Sequence, residues 1–152
     1  MKKVPIEFKL NGVKRRFEAA PNDTLLEMLR DRLGIKSPKT GCDRGDCGTC
    51  TVLLDGRTVR ACLVLAPEAD GCEIETLENI SKKPSPLQKE FSKRNSFQCG
   101  FCAPGVVLSA TELLRKHKKP SRAEIREAIA GNLCRCTGYS PIIEAIEAAS
   151  KK

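Results

Sequence analysis

Nine cysteines occur in this 152-residue chain, and eight of them fall into two groups of four. Cys42, Cys47, Cys50 and Cys62 read C-x4-C-x2-C, closed by a fourth cysteine after eleven intervening residues. The second group joins Cys99 and Cys102, in QCGFCAPG, to Cys134 and Cys136, in NLCRCTGY. A thiolate is a soft, anionic ligand. Four of them gathered at one place suit an iron–sulfur cluster or zinc and not a hard cation. The order C-x4-C-x2-C with a remote fourth cysteine is one that holds a [2Fe–2S] centre. Two such sites on one small chain point to the movement of electrons.

Zinc is the competing ligand chemistry. Zinc ribbons commonly show two C-x2-C knuckles. Here the first group has one knuckle and the second pairs C-x2-C with C-x-C. A Rieske centre needs two histidines on one iron, and the chain has only His117. That histidine lies among Lys116, Lys118 and Lys119 and reads as a surface residue. The bacterial C-x2-C-x2-C-x3-C-P run is absent. Cys72 falls outside both complete groups and reads as a small, semi-buried residue. No Walker loop, dinucleotide fingerprint or nucleophile elbow is present.

Disulfides fit less well. The count of nine is odd, and no apolar stretch of a secretory leader follows Met1-Lys2-Lys3-Val4-Pro5. Clustered cysteines in a reducing cytoplasm are metal ligands more often than disulfides, so a cytoplasmic location is expected. No run approaches the roughly 20 apolar residues of a membrane span. The formal charge is +8 with thiols counted neutral, and two oxidised clusters would bring it to about +4. The basic residues lie in short clusters, and aromatics number five Phe, one Tyr and no Trp. That pattern reads as solvated surface or a docking rim rather than a nucleic-acid stripe, although a zinc-binding interaction or nucleic-acid module remains an alternative.

The elements that must position the first group are legible. Val4, Ile6, Phe8 and Leu10 alternate with Pro5, Glu7 and Lys9, a half-buried strand. Asn11-Gly12 is a hairpin signal, and Val13 to Glu18 returns with Val13 and Phe17 on one face. Thr24-Leu25-Leu26-Glu27 is a capping box opening a helix with Leu25, Leu29 and Leu33 inward and Gly34 as its stop. Residues 40–50 form a glycine-rich loop. Thr51 to Leu54, the Asp55-Gly56 turn and Arg57 to Leu65 make a second hairpin, with Cys62 on or at the end of its return strand. Glu73 to Leu77 closes a sheet of the β-grasp kind.

Ser81 to Pro86 reads as a linker, dividing a domain over 1–80 from one over 81–152. Beyond it only helices are predicted: Leu87 to Arg94, Val106 to Lys116, a third capped by Ser121 and Glu124 and ending at Gly131, and a fourth capped by Ser140 with Pro141 at its first position. Ile142, Ile143 and Ile146 of the fourth face inward. Each cysteine pair precedes a helix N-terminus, where free N–H groups favour an anionic cluster. An all-α four-helix domain with pseudo-two-fold symmetry follows, making the whole chain α+β.

Three segments, GCDRGDCGTCTVLLDG, QCGFCAPG and NLCRCTGYSP, resemble in order and separation those of the small iron–sulfur subunit of the molybdenum hydroxylases. That family includes xanthine dehydrogenase, aldehyde oxidoreductases, aerobic carbon monoxide dehydrogenases and 4-hydroxybenzoyl-CoA reductase. The resemblance runs over nearly the whole chain. Thr49 stands where Ala is common and Ala103 where Thr is common; neither removes a ligand. The resemblance implies a plant-type ferredoxin-like domain whose Cys42, Cys47, Cys50 and Cys62 hold the [2Fe–2S] cluster nearer a flavin. It implies that Cys99, Cys102, Cys134 and Cys136 hold a second, nearer molybdenum, with Gln98 and Cys136 approaching the molybdopterin. Molybdopterin would sit on a large subunit and FAD on a medium one, making a hetero-oligomer. The runner-up is a free-standing two-cluster ferredoxin that meets its partners transiently.

Overall fold

The computed structural model describes residues 2–151; Met1 and Lys152, the outer ends of the two expected domains, lie outside the described residues. β1 (Val4–Leu10) buries Ile6, Phe8 and Leu10 and exposes Pro5, Glu7 and Lys9, as the two-residue period of a strand requires. Asn11 and Gly12 both take left-handed φ, 53° and 82°, which is what a two-residue turn matching strand twist demands. β2 (Val13–Ala19) returns antiparallel, from Leu10↔Val13 to Val4↔Ala19. Of the two residues expected on one face, Phe17 is half-buried against the core and Val13 is 52% exposed. β2 is a sheet edge, where a neighbour that would cover Val13 is missing.

Thr24 caps α1 (Leu25–Glu27) reciprocally. Its hydroxyl accepts from the Glu27 N–H, and the Glu27 carboxylate accepts from the Thr24 N–H. The helix widens at once into a π turn over Met28–Arg32, with the Leu33 N–H reaching Met28 C=O. Leu25, Leu26, Met28 and Leu29 are all buried against the sheet. β3 (Thr51–Leu54) and β4 (Arg57–Arg60) form the second hairpin. The predicted return strand stops five residues early, because a Leu63 N–H to Arg60 C=O bond folds the chain into a turn that leaves Cys62 just past β4. β5 (Glu73–Glu75) likewise ends before Leu77, which opens the short α2 (Leu77–Ile80). The sheet runs β2-β1-β5-β3-β4, with β1 and β5 its parallel pair.

Among the described residues, only helices follow. Ser85 caps α3 (Pro86–Lys93), its hydroxyl accepting from the Gln88 N–H, so Pro86 belongs to the helix and not to the linker. α4 (Ala103–Lys116) starts directly after Cys102, three residues before the predicted Val106. α5 (Arg122–Ile129) carries the Ser121–Glu124 capping box. α6 (Ser140–Ser150) begins differently from the expectation. Ser140 is its first residue, not its cap, and Tyr139 precedes it in left-handed conformation with φ 71°. α3 packs on α4 and α6, and α5 packs on α4 and α6. Leu87, Phe91, Val106, Ile125, Ile142 and Ile146 belong to their common core, separate from the core under the sheet. α4 also lies against β3 and β4. Among the described residues, no helix is long and apolar enough to cross a membrane.

Candidate metal centres

The loop from α1 to β3 carries three cysteines of the first group, and the turn after β4 brings the fourth. Cys50 and Cys62 are buried, with their sulfurs 3.4 Å apart. Cys42 and Cys47 are half-buried neighbours, close enough for the Cys47 thiol to influence the charge on Cys42. The Cys42 sulfur accepts from the backbone N–H groups of Asp46 at 3.2 Å and Cys47 at 3.3 Å. Backbone donation, from Arg44 and then Cys47, pulls the Cys42 thiol down to about 7. Burial, reinforced by the Cys50 thiol, pushes Cys62 up to about 11.

The second group is built from two turns. Cys99-Gly100-Phe101 leads into Cys102, the residue that precedes α4. Cys134 and Cys136 lie between α5 and α6. Cys99 and Cys136 are exposed, with sulfurs 3.6 Å apart. Cys102, buried, lies close enough to the half-buried Cys134 for the two thiols to influence each other's charge. Burial followed by that contact drives the Cys102 thiol up to about 12. The Phe101 N–H lowers Cys99 and the Cys99 thiol raises Cys136. Burial raises Cys134, but its bonds from the Thr137 hydroxyl and backbone outweigh it, and the net shift is downward.

Both groups therefore assemble as two sulfur pairs, one on the outside and one further in. Two thiolates on one tetrahedral metal, each bonded at about 2.3 Å, stand about 3.8 Å apart. The Cys50–Cys62 separation of 3.4 Å and the Cys99–Cys136 separation of 3.6 Å approach that distance. A mononuclear zinc site asks all four thiolates to converge on one point. Pairs of pairs fit a binuclear centre, in which each iron takes two cysteines.

Gln98 is exposed, and its Nε2 donates to the Cys136 C=O at 2.8 Å, so the two residues expected to approach a pterin share one surface. Cys72 is half-buried and apart from both groups, and His117 is exposed. Several residues around the sites were not singled out by their spacing. The Tyr139 hydroxyl accepts from the Cys134 N–H at 2.9 Å. Lys39 donates to the Phe101 C=O and sits 5.2 Å from that ring's centre. Thr51, Arg60, Ser109 and Asn132 form hydrogen bonds between the two groups. Apart from Thr51 and Arg60 on adjacent strands, these partners lie 23 and 81 residues apart, so no local pattern marks them.

Residues 8–78 match the 2Fe-2S iron-sulfur cluster binding domain, and residues 74–147 match the [2Fe-2S] binding domain. The chain is 45% identical over 145 residues to the nicotine 6-hydroxylase small subunit of Paenarthrobacter nicotinovorans, covering 95% of this chain and 88% of that one. It is 45% identical over 147 residues to the xanthine dehydrogenase iron-sulfur-binding subunit of Escherichia coli O157:H7, covering 94% and 92%. Among solved structures, a chain of quinoline 2-oxidoreductase from Pseudomonas putida 86 superposes with a TM-score of 0.94 at 42% identity, over 99% of this chain and 96% of that one. With its two sets of paired sulfurs and these relatives along its full length, the chain belongs to the family of small iron–sulfur subunits of the molybdenum hydroxylases and is a subunit of an oxidoreductase.

Proposed function

We propose that the chain carries electrons from a molybdenum centre, on a large molybdopterin-binding subunit, to FAD on a medium subunit, through two [2Fe–2S] clusters. The observation that supports this best is the gathering of eight cysteines into two sets of four, each with one sulfur pair in direct contact, Cys50–Cys62 and Cys99–Cys136. In this reading residues 1–80 form a plant-type ferredoxin-like domain holding one cluster on Cys42, Cys47, Cys50 and Cys62. Residues 81–152 form a four-helix domain of approximate two-fold symmetry holding the other on Cys99, Cys102, Cys134 and Cys136.

A bound [2Fe–2S] centre supplies reversible one-electron chemistry. The protein's part is to hold charge and keep water out. Backbone donors at Cys42 are fixed before any charge arrives, so they favour the anionic sulfur without reorganisation. Burial of Cys50, Cys62 and Cys102 shields the inner side of each site. Exposed Gln98 and Cys136 offer a hydrogen-bonding surface through which the second site meets the pterin. Phe101 and Leu133 are exposed at 46% and 53%, placing apolar surface beside that site where a partner subunit would cover it. The same reading places the complex in the cytoplasm. Native purification followed by mass spectrometry tests it. The chain should elute with a large and a medium subunit, and a stable, soluble native monomer would instead make it a free carrier.

A further inference from the structure

A buried polar node joins the two cysteine sites, and its hydrogen positions can be assigned without conflict. Thr51 is fully buried and Asn132 is 1% exposed. The Thr51 hydroxyl donates to the Gly48 C=O at 2.6 Å. Its oxygen can then accept from Arg60 Nη1 at 2.8 Å and from Asn132 Nδ2 at 3.3 Å. Asn132 Nδ2 also donates to Gly48 C=O at 3.2 Å, and Asn132 Oδ1 accepts from the Ser109 hydroxyl of α4 at 2.7 Å. Arg60 Nη2 reaches on to the Gly131 C=O at 2.8 Å.

The node is placed where it can act on both sites. Gly48 follows Cys47, Thr51 follows Cys50, and Asn132 stands two residues before Cys134. Beside it the Leu133 N–H donates to the Cys47 C=O at 2.9 Å. The backbones approach so closely that a Cβ on Gly48 would stand 2.2 Å from the Gly131 oxygen. An apolar seam could hold the two halves together equally firmly, but it would not fix their register. Directional bonds from one amide to Gly48, Thr51 and Ser109 do.

We propose that Asn132, with Thr51 and Arg60, is a positioning residue that sets the separation and relative orientation of the two cluster sites. This rests on the reading that both sites hold [2Fe–2S] centres. Transfer between two centres falls steeply with distance, so a device that holds the distance serves the relay directly.

The test uses the full chain loaded with both clusters. Iron and labile sulfide are counted first, and the magnetic splitting between the two reduced centres is then read by electron paramagnetic resonance. Asn132→Ala and Thr51→Val should keep both clusters and each centre's own signal but lose the splitting. Thr51→Ser, which restores the hydroxyl, should keep it. Exchange of the Leu133 amide should quicken roughly tenfold or more in the first two variants. Should Asn132→Ala not fold, Arg60→Gln, on a half-exposed side chain, carries the test with the same expected loss. A wild-type chain without iron and sulfide overturns the functional reading and the proposal with it. A fully loaded wild type whose variants retain the splitting overturns the proposal alone. Loss of a cluster in Thr51→Val or Arg60→Gln also overturns it, since the node would then hold a ligand and not a spacing.

Discussion

Arg115 grips Glu75 with both arms of its guanidinium, Nη1 2.7 Å from Oε1 and Nη2 3.0 Å from Oε2. The pair ties α4 to β5 and thus the helical core to the sheet. One helical turn away, Glu112 accepts from the Thr58 N–H of β4 at 2.8 Å.

The first prediction follows from the charge of that pair. Hydrogen bonding from Arg115 holds the Glu75 carboxyl below its ordinary range. Burial pushes Glu112 up, but hydrogen bonds from Lys116 and Thr58 outweigh it and the net shift is downward. A depressed carboxyl pKa contributes stability above the unfolded value and loses it as pH falls through the folded one. Stability should therefore decline as pH drops below about 4. Glu75→Gln should cost about 0.5–1 kcal/mol at neutral pH and flatten that decline. Urea unfolding at pH 7 and in acid checks both, and an unchanged acid limb would show that the pair contributes nothing.

Metal content is the second. Two complete sets of four thiolates should hold about four iron and four labile sulfide per chain. Reduction should give two distinct paramagnetic signals, because the two surroundings differ. Stoichiometric zinc without sulfide would rule the clusters out.

Gly105→Ala is the third. Helix propensity alone would favour Ala in α4 by about 1 kcal/mol. Its Cβ, however, would stand 2.3 Å from the Gly48 oxygen and 2.8 Å from Asn132 Nδ2. Backbone cannot swing aside as a side chain can, so the collision should win and destabilise the loaded chain by about 1–3 kcal/mol. Unchanged or improved thermal unfolding would mean that the seam yields.

A fourth concerns which part of the fold each cluster holds together. The helical core is small, and metal binding is folding free energy for such a unit. Cys134→Ser should lower hydrogen-exchange protection in residues 87–151 more than in the sheet. Equal loss in both halves would contradict independent stapling.

The fifth addresses order. If the two centres act in series, Cys47→Ser should damage only the one nearer the flavin, since serine is a harder, poorer ligand for iron. Substrate should still reduce the helical-domain centre in the complex, while FAD reduction slows severely. Normal FAD reduction in a complex proven to lack the first cluster would sink the series relay.

Much of this was legible because the signals are local. Two positive-φ turns at Asn11-Gly12 and Asp55-Gly56 define both hairpins, and the capping boxes at Thr24 and Ser121 open helices where expected. The cysteine groups could be sorted by spacing, but not into sulfur pairs, since pairing Cys99 with Cys136 depends on how α3 and α5, each packed on both α4 and α6, bring the turns before those two helices together. The end of β4 was misplaced because Ala61 to Leu65 stays apolar while its backbone turns away to pair with α1, through the Leu25 and Leu26 N–H groups. Asn132 gave no local signal, since its partners Ser109, Thr51 and Gly48 lie on three other segments.

Tyr139 stands in a conflict that the chain retains. Among the described residues, the other non-glycine positions with left-handed φ are Asn11, Asp43, Asp55 and Asn95, types that tolerate it. A bulky tyrosine does not, yet its ring packs on the helical core and its hydroxyl holds the Cys134 amide. Backbone preference asks for glycine here, and the side chain's two contacts ask for tyrosine. A stabilising screen that places glycine at left-handed positions would relax the backbone and release the Cys134 loop together. This is a site of local frustration, where the mutation that best suits the peptide unit harms the centre beside it.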